Sequence, residues 1–221
     1  MAHGEEGPLA SRPRDWYVWH FTHVDNVASI AAAGALYAAN SVTPNVDVAN
    51  QEVKNRRNAQ EVDPDDEYPR NVVVSDHVPF YIAAKSPMLF VVSRRQGDPR
   101  GNSKELVFFG IRMSDLIESG MIWCASDRNA AAGTVQFSRS VDDLGTFVDF
   151  DLLKQRYWNG TTDDADRPSR RAAEILVLGE VPLTLVSAVV TKIDSTLARA
   201  KSALATVSGT RQYQVLSDFI Y

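Results

Sequence analysis

The 221-residue chain carries 23 Lys and Arg against 28 Asp and Glu, a formal net charge of -5, with 44% apolar residues and a single cysteine. That balance suits a folded domain with a real core and excludes a polycation that coats nucleic acid by bulk charge, while leaving room for a local basic groove. One cysteine excludes a disulfide framework or a Cys-rich zinc site, no apolar run reaches the roughly 20 residues that span a bilayer, and MAHGEEGPLA has no signal-peptide core. A cytoplasmic protein with no membrane partner is expected, with residues 1–14 a disordered leader and 15–221 a single domain.

The first strand is expected at WYVWHF (16–21), which is aromatic and β-branched. Asp25 is placed to cap a helix over VASIAAAG, and Gly34 to end it. Residues 41–70 turn polar. Within them NQEVKNRRNAQEV (50–62) spaces its residues for about three helical turns, and DPDDEYP reads as loop; so long a polar stretch inside a compact domain is usually functional, mobile or both. NVVVS and PFYIA, flanking Asp76 and His77, read as two short strands or a strand and a kinked extension, and SPMLFVV fits either a helix or a strand. ELVFFGIRM is a strand, SDLIESG a short helix and MIWCAS a strand that buries Cys124. DFDLLKQRYW (149–158) has helical spacing, and NGTTDDADRPSRR (159–171) is loop. Ile175 to Leu178 form an apolar run too short for a stable helix, bounded by Gly179. They read as a buried strand with Glu174 at its mouth. A strand over TLVSAVVTKI, a helix over STLARAKSALATV capped by Ser195 and a strand at QYQVL complete the chain. Strands and helices mix without βαβ alternation or a glycine-rich phosphate loop, which makes the fold class α+β.

The chemistry narrows by elimination. His20 and His23, three apart on a strand, face opposite ways, and neither a cysteine pair nor HExxH completes a metal site. No metal is expected. GxSxG is absent, and Cys124 lies in a core strand. Glu174, the arginines and the aromatic residues remain as the working groups.

Five segments in order, WHFTHVDNVASIAAAGALYAAN, EVKNRR, SDHVPFYIAAKSPMLF, WCASDRNAAAG and RPSRRAAEILV, resemble the DarT family, DNA ADP-ribosyltransferase toxins of bacterial toxin–antitoxin systems. The resemblance implies an ADP-ribosyltransferase-like split β-sheet core with flanking helices and a cleft for NAD as co-substrate. It places the catalytic glutamate on Glu174 and the catalytic arginine on Arg56 or Arg57. His20 and Thr22 would touch the nicotinamide and its ribose. Phe80 or Tyr81 would wall the nicotinamide pocket, with the other in the core and Met88 packed nearby. Asn129 and His77 stand where relatives often carry His and Tyr, and His77 is expected to be structural.

The implied acceptor is a base in single-stranded DNA, thymidine in the better-known branch, and a macrodomain antitoxin of the DarG type is the implied partner. Breaking the nicotinamide–ribose bond builds positive charge that a carboxylate stabilises. A thymine acceptor must lose its N3 proton. An arginine is almost always protonated, so holding the base and stabilising its anion is the preferred role, with proton acceptance open. Two clusters offer phosphate contacts, Arg94, Arg95, Arg100 and Lys104, and Arg167, Arg170 and Arg171; one of the two is expected to serve. Tyr157 or Trp158 would stack on bases. Competing readings are a guanine-directed transferase of the same family and a catalytically silent nucleic-acid-binding module on this fold.

Overall fold

The computed structural model describes residues 10–48, 51–94 and 102–219. An eight-stranded mixed sheet organises the chain. Its strands are β1 (Tyr17–His23), β3 (His77–Tyr81), β4 (Leu106–Arg112), β5 (Trp123–Ser126), β6 (Phe137–Ser138), β7 (Glu174–Leu178), β9 (Ala188–Thr191) and β10 (Gln212–Val215), in the order β10-β9-β4-β1-β3-β7-β5-β6. A separate ribbon pairs β2 (Ala35–Tyr37) with β8 (Glu180–Pro182).

The sheet is two half-sheets joined by one seam. β1 pairs with β4 along its whole length, from Tyr17↔Arg112 to His23↔Leu106, and β3 pairs with β7 from His77↔Leu178 to Tyr81↔Glu174. Between β1 and β3 the register holds a single pair, Trp19↔Tyr81. The two central strands part beyond that point, which is the split expected from the resemblance.

Alternation along the central strands feeds two cores. Val18, Val78, Phe80, Val107, Phe109, Ile111, Ile175 and Val177 belong to the principal one. It is covered by α4 (Met113–Glu118), α6 (Phe150–Lys154) and α8 (Asp194–Ala203) through Met113, Leu116, Phe150, Leu153 and Ala200, with Leu204 just past the end of α8. Tyr17, Trp19, Phe21, Leu106 and Phe108 face the other way, against Leu89 and Val92 of α3 (Pro87–Ser93). Because both faces are covered, these strands read as near-continuous apolar runs. Cys124 lies in a third cluster with Tyr68, Val74, Ala130 and Leu176, where burial pushes its thiol up to about 12.

Several expectations shift. NVVVS is not a strand: Val73 makes an isolated bridge to Glu61 and Val74–Asp76 form a 3-10 turn before β3. SPMLFVV resolves as helix because Ser86 accepts from the Leu89 N–H and Pro87 stands in the first turn. The helix at 149–158 stops at Lys154, and Arg167–Arg171, expected as loop, form α7. The strand at 184–193 shortens to β9 behind a Leu183–Leu185 turn. Ser195 does not cap α8, which is entered from Ile193. Helix α1 (Val27–Ala33) ends at Gly34 with φ 75°, as expected, but its N-cap position is Asn26 rather than Asp25. The body also begins earlier than the expected leader allows: Ala10 packs against the principal core and Pro13–Asp15 form a turn.

Candidate active site

Pairing places Tyr81 directly opposite Glu174 on β7 and opposite Trp19 on β1. The three side chains therefore form a row on the face away from the principal core. Where β1 and β3 part, a cleft of about 300 Å3 opens, lined by His20, Thr22, Pro79, Tyr81 and Met88 together with residues of the 42–48 segment and Lys54. Phe80, one residue from Tyr81, is wholly buried in the principal core, where its ring backs the His20 imidazole at 5.8 Å. The expectation that Phe80 binds cofactor is thereby corrected: strand alternation sends it to the core and Tyr81 to the cleft.

His20 Nδ1 lies 3.0 Å from the Pro79 carbonyl oxygen, a contact only an Nδ1–H can make, so Nε2 keeps its lone pair. Burial, helped by the positive charge of Arg57, lowers the His20 pKa and favours the neutral ring. Tyr81 is held as the phenol by burial and by the Glu174 charge.

Glu174 is 1% exposed. Its Oε1 accepts from the Ala130 N–H at 3.2 Å, its backbone N–H donates to Ser126 Oγ, and both carboxylate oxygens accept from Arg57 Nη1, at 3.1 and 3.0 Å. Helix α2 (Gln51–Ala59) brings Arg57 there while burying none of its own residues. One nitrogen carries the whole ion pair, and the other, Nη2, is buried without a hydrogen-bond partner. Arg56, on the neighbouring face of α2, is exposed and sits 3.9 Å from Glu52. Of the two arginines the sequence leaves open, Arg57 alone meets Glu174. Among the described residues no three His, Cys, Asp or Glu side chains gather as a metal site, and no helix is long and apolar enough to cross a membrane.

The expected DNA-binding arginines are mostly occupied within the fold. Arg171 is buried and bonds the carbonyls of Leu152 and Leu153. Arg170 pairs with Asp149 and Asp164. Arg167 donates to Gln155 Oε1 and to the Tyr157 and Asn159 carbonyls. Acceptors of the 155–166 loop take Arg167, Asp149 and Asp164 take Arg170, and the Leu152 and Leu153 carbonyls take Arg171, which corrects their reading as phosphate contacts. Trp158 is buried edge-on against Phe90 and presents no free face. Tyr157 is 74% exposed, with Arg156 5.6 Å from its ring centre, and exposed Arg94 stacks 4.2 Å over Phe90. Arg95 and Arg100 lie outside the described residues. His77 holds Tyr68 Oη at 2.7 Å through Nε2 and the Val73 carbonyl through Nδ1, a wholly buried brace. Asn129 ties the 127–136 turn to α7 through the Ser169 carbonyl.

Sequence reasoning marked the 41–70 stretch as functional or mobile but singled out neither Lys54 nor residues 42–48 within it, and it missed Asn26. For Lys54 and the segment the signal was the polarity of the 41–70 stretch; Asn26, at the start of α1, read only as a helix-end residue.

A family model described as "ssDNA thymidine ADP-ribosyltransferase, DarT" matches residues 19–221. The chain belongs to the DarT family. A protein named DNA ADP-ribosyl transferase from Mycobacterium tuberculosis is 51% identical over 215 residues, covering 97% of this chain and 93% of that protein. One of the same name from Thermus sp. is 26% identical over 79% of this chain and 80% of its own length. The fold matches that of Thermus sp. 2.9 DarT in complex with ADP-ribosylated ssDNA, with a TM-score of 0.84 at 22% identity, covering 97% of this chain and all of that one. It also matches the same Thermus protein in complex with NAD+, with a TM-score of 0.76 over 95% of this chain and 99% of that one. Membership makes this chain an NAD-dependent DNA ADP-ribosyltransferase.

Proposed function

We propose that the chain transfers ADP-ribose from NAD to a thymine base in single-stranded DNA, acting in the bacterial cytoplasm as the toxin of a toxin–antitoxin pair whose partner is a macrodomain of the DarG type. The observation that carries the chemistry is the buried Glu174 carboxylate under Arg57, next to the split-sheet cleft. NAD occupies the cleft, where the bare Nε2 of His20 accepts from a ribose hydroxyl and Tyr81 and Met88 line the nicotinamide end. The bond between C1 of the nicotinamide-bearing ribose and the nicotinamide ring nitrogen breaks, and its electron pair leaves with nicotinamide. Glu174 takes the ribose 2′-hydroxyl and stabilises the developing positive charge, a contribution of about 10²–10³ in rate. Thymine N3 forms the new bond to that carbon, and its proton passes to water.

Arg57 then has two tasks. In the free enzyme Nη1 neutralises a carboxylate that would otherwise be buried alone. With substrates bound, the unpartnered Nη2 meets a thymine carbonyl oxygen and stabilises the imide anion as N3 loses its proton. Unpaired DNA is the natural acceptor because N3 is hidden in a base pair. Its strand lies along Tyr157, Arg156 and Arg94, an exposed ring with cations beside it.

The test is transfer from isotopic NAD to defined oligonucleotides, with the adduct located by mass. Label is expected on strands containing thymine and not on strands lacking it, and Glu174→Ala abolishes it. Arg57→Lys keeps the ion pair and thermal stability but loses the spare donor, so transfer falls at least tenfold. Label on guanine alone, or full transfer by Glu174→Ala, overturns the proposal. For the toxin role, expression is expected to halt growth, with relief by a co-expressed macrodomain.

A further inference from the structure

Residues 42–48 form one wall of the cleft as a strap without regular secondary structure, and none of the seven is fully buried. What holds the strap down is largely polar, with Val48 at its end packed against the second core. The Asn26 amide nitrogen donates to Thr22 Oγ1 at 2.9 Å and to the Val46 carbonyl at 2.8 Å, while its oxygen accepts from the Val46 N–H at 2.8 Å. The amide thus meets the N–H and carbonyl of one strap residue as a neighbouring β-strand would, and ties that residue to a cleft-lining threonine on β1. Asn26 is 3% exposed and stands at the N-cap of α1, yet its side chain does not cap the helix. Asn is among the strongest N-cap residues, and here the helix goes without that bond. A second, exposed staple runs from Asn45 Nδ2 to Ser29 Oγ and the Asp25 carbonyl, and Lys54 pairs with Asp47.

We infer that Asn26 is a positioning residue for the dinucleotide: it latches the 42–48 strap against β1 and so fixes the width of the NAD cleft, without touching the reacting atoms. The latch governs NAD affinity and leaves the chemical step and the DNA contacts alone, because Tyr157, Glu174 and Arg57 lie outside it. A strap held by hydrogen bonds, one ion pair and the partial packing of Val48 opens locally at low cost, and an unlatched strap reduces affinity in proportion to the fraction of molecules in which it is closed.

The inference rests on the cleft being the NAD site. Calorimetric titration of the parent protein with NAD, with no DNA present, tests that premise separately. The inference itself is tested by steady-state transfer with NAD and oligonucleotide varied independently. Asn26→Ala is expected to raise the NAD KM about tenfold or more with kcat and oligonucleotide KM within about twofold. Asn26→Asp retains the acceptor for the Val46 N–H but loses both donors, and falls in between. Hydrogen exchange at Val46 accelerates in both variants, and saturating NAD slows it again. Should Asn26→Ala fail to fold, Asn45→Ala loosens the exposed staple and is expected to raise the NAD KM about two- to fivefold, with Val46 exchange faster than in the parent. A folded Asn26→Ala with the parental NAD KM, or one whose kcat falls at unchanged KM, overturns the inference, as does Asn45→Ala with both readouts unmoved.

Discussion

Deleting the guanidinium of Arg57 while leaving Glu174 in place isolates the central ion pair. Glu174 would then keep the Ala130 N–H on Oε1 and no side-chain partner on Oε2, at 1% exposure. Removing one partner of a buried pair costs about 3–5 kcal/mol. Since α2 buries none of its residues, water enters the vacated space, and the low end, about 3 kcal/mol, applies. For a chain of this size each kcal/mol moves Tm by about 2–4 °C, so Arg57→Ala melts roughly 6–12 °C below the parent. Glu174→Gln is milder, about 1.5 kcal/mol, because the arginine it strands sits on a polar helix and can turn to water. The double variant Arg57→Ala/Glu174→Gln buries no charge at all and melts above Arg57→Ala, with a coupling of about 2 kcal/mol. Thermal and urea unfolding of the four proteins close the cycle. If the two single losses add to within about 0.5 kcal/mol in the double variant, the pair is not buried in the sense argued, and the reasoning fails.

Three further outcomes follow from the geometry. Burial lowers the pKa of both His20 and His77, so below about pH 6.5 the unfolded chain takes up protons that the folded one refuses. Stability is complete above that value and is lost as pH falls; Tm drops from about pH 7.5 to about pH 5.5, and His20→Gln shallows the drop, whereas an unchanged slope counts against a buried neutral ring. Tyr157→Ala removes a stacking face worth about 1–3 kcal/mol per base, so the oligonucleotide KM rises roughly five- to 150-fold while Tyr157→Phe stays near the parent; equal NAD turnover in the absence of DNA separates this from misfolding. Gly110 pairs with Trp19 across β1 and β4, and a Cβ there would stand 2.6 Å from the Trp19 ring and 3.1 Å from Ala188 Cβ. Gly110→Ala is therefore expected to cost about 1–3 kcal/mol by urea unfolding, and a neutral result would mean that the indole shifts freely.

Local pattern determined much of this protein. The aromatic and β-branched run at 17–23, the strand from 106 and the short apolar run behind Glu174 each carry a strand signature that survives in the fold, since burial on both faces leaves no other use for such residues. Gly34 and Ser86 fixed their helix ends through backbone and hydroxyl chemistry that needs no partner from elsewhere in the chain. Pairing settled what pattern left open. Arg56 and Arg57 are equivalent as letters, and only the packing of α2 against the sheet, 117 residues away from Glu174 in sequence, brings one of them to the carboxylate. Phe80 and Tyr81 were likewise divided between core and cleft by the register of β3 against β7. The arginines before Glu174 read as a basic surface because sequence shows charge without partners. The fold supplies those partners from aspartates and carbonyls of the loop, of α6 and of Lys85, 86 positions away, and the charge is spent inside the protein. Asn26 is the extreme case: its side chain has the chemistry of a helix cap, and only the path of the strap over the cleft turns it into a latch.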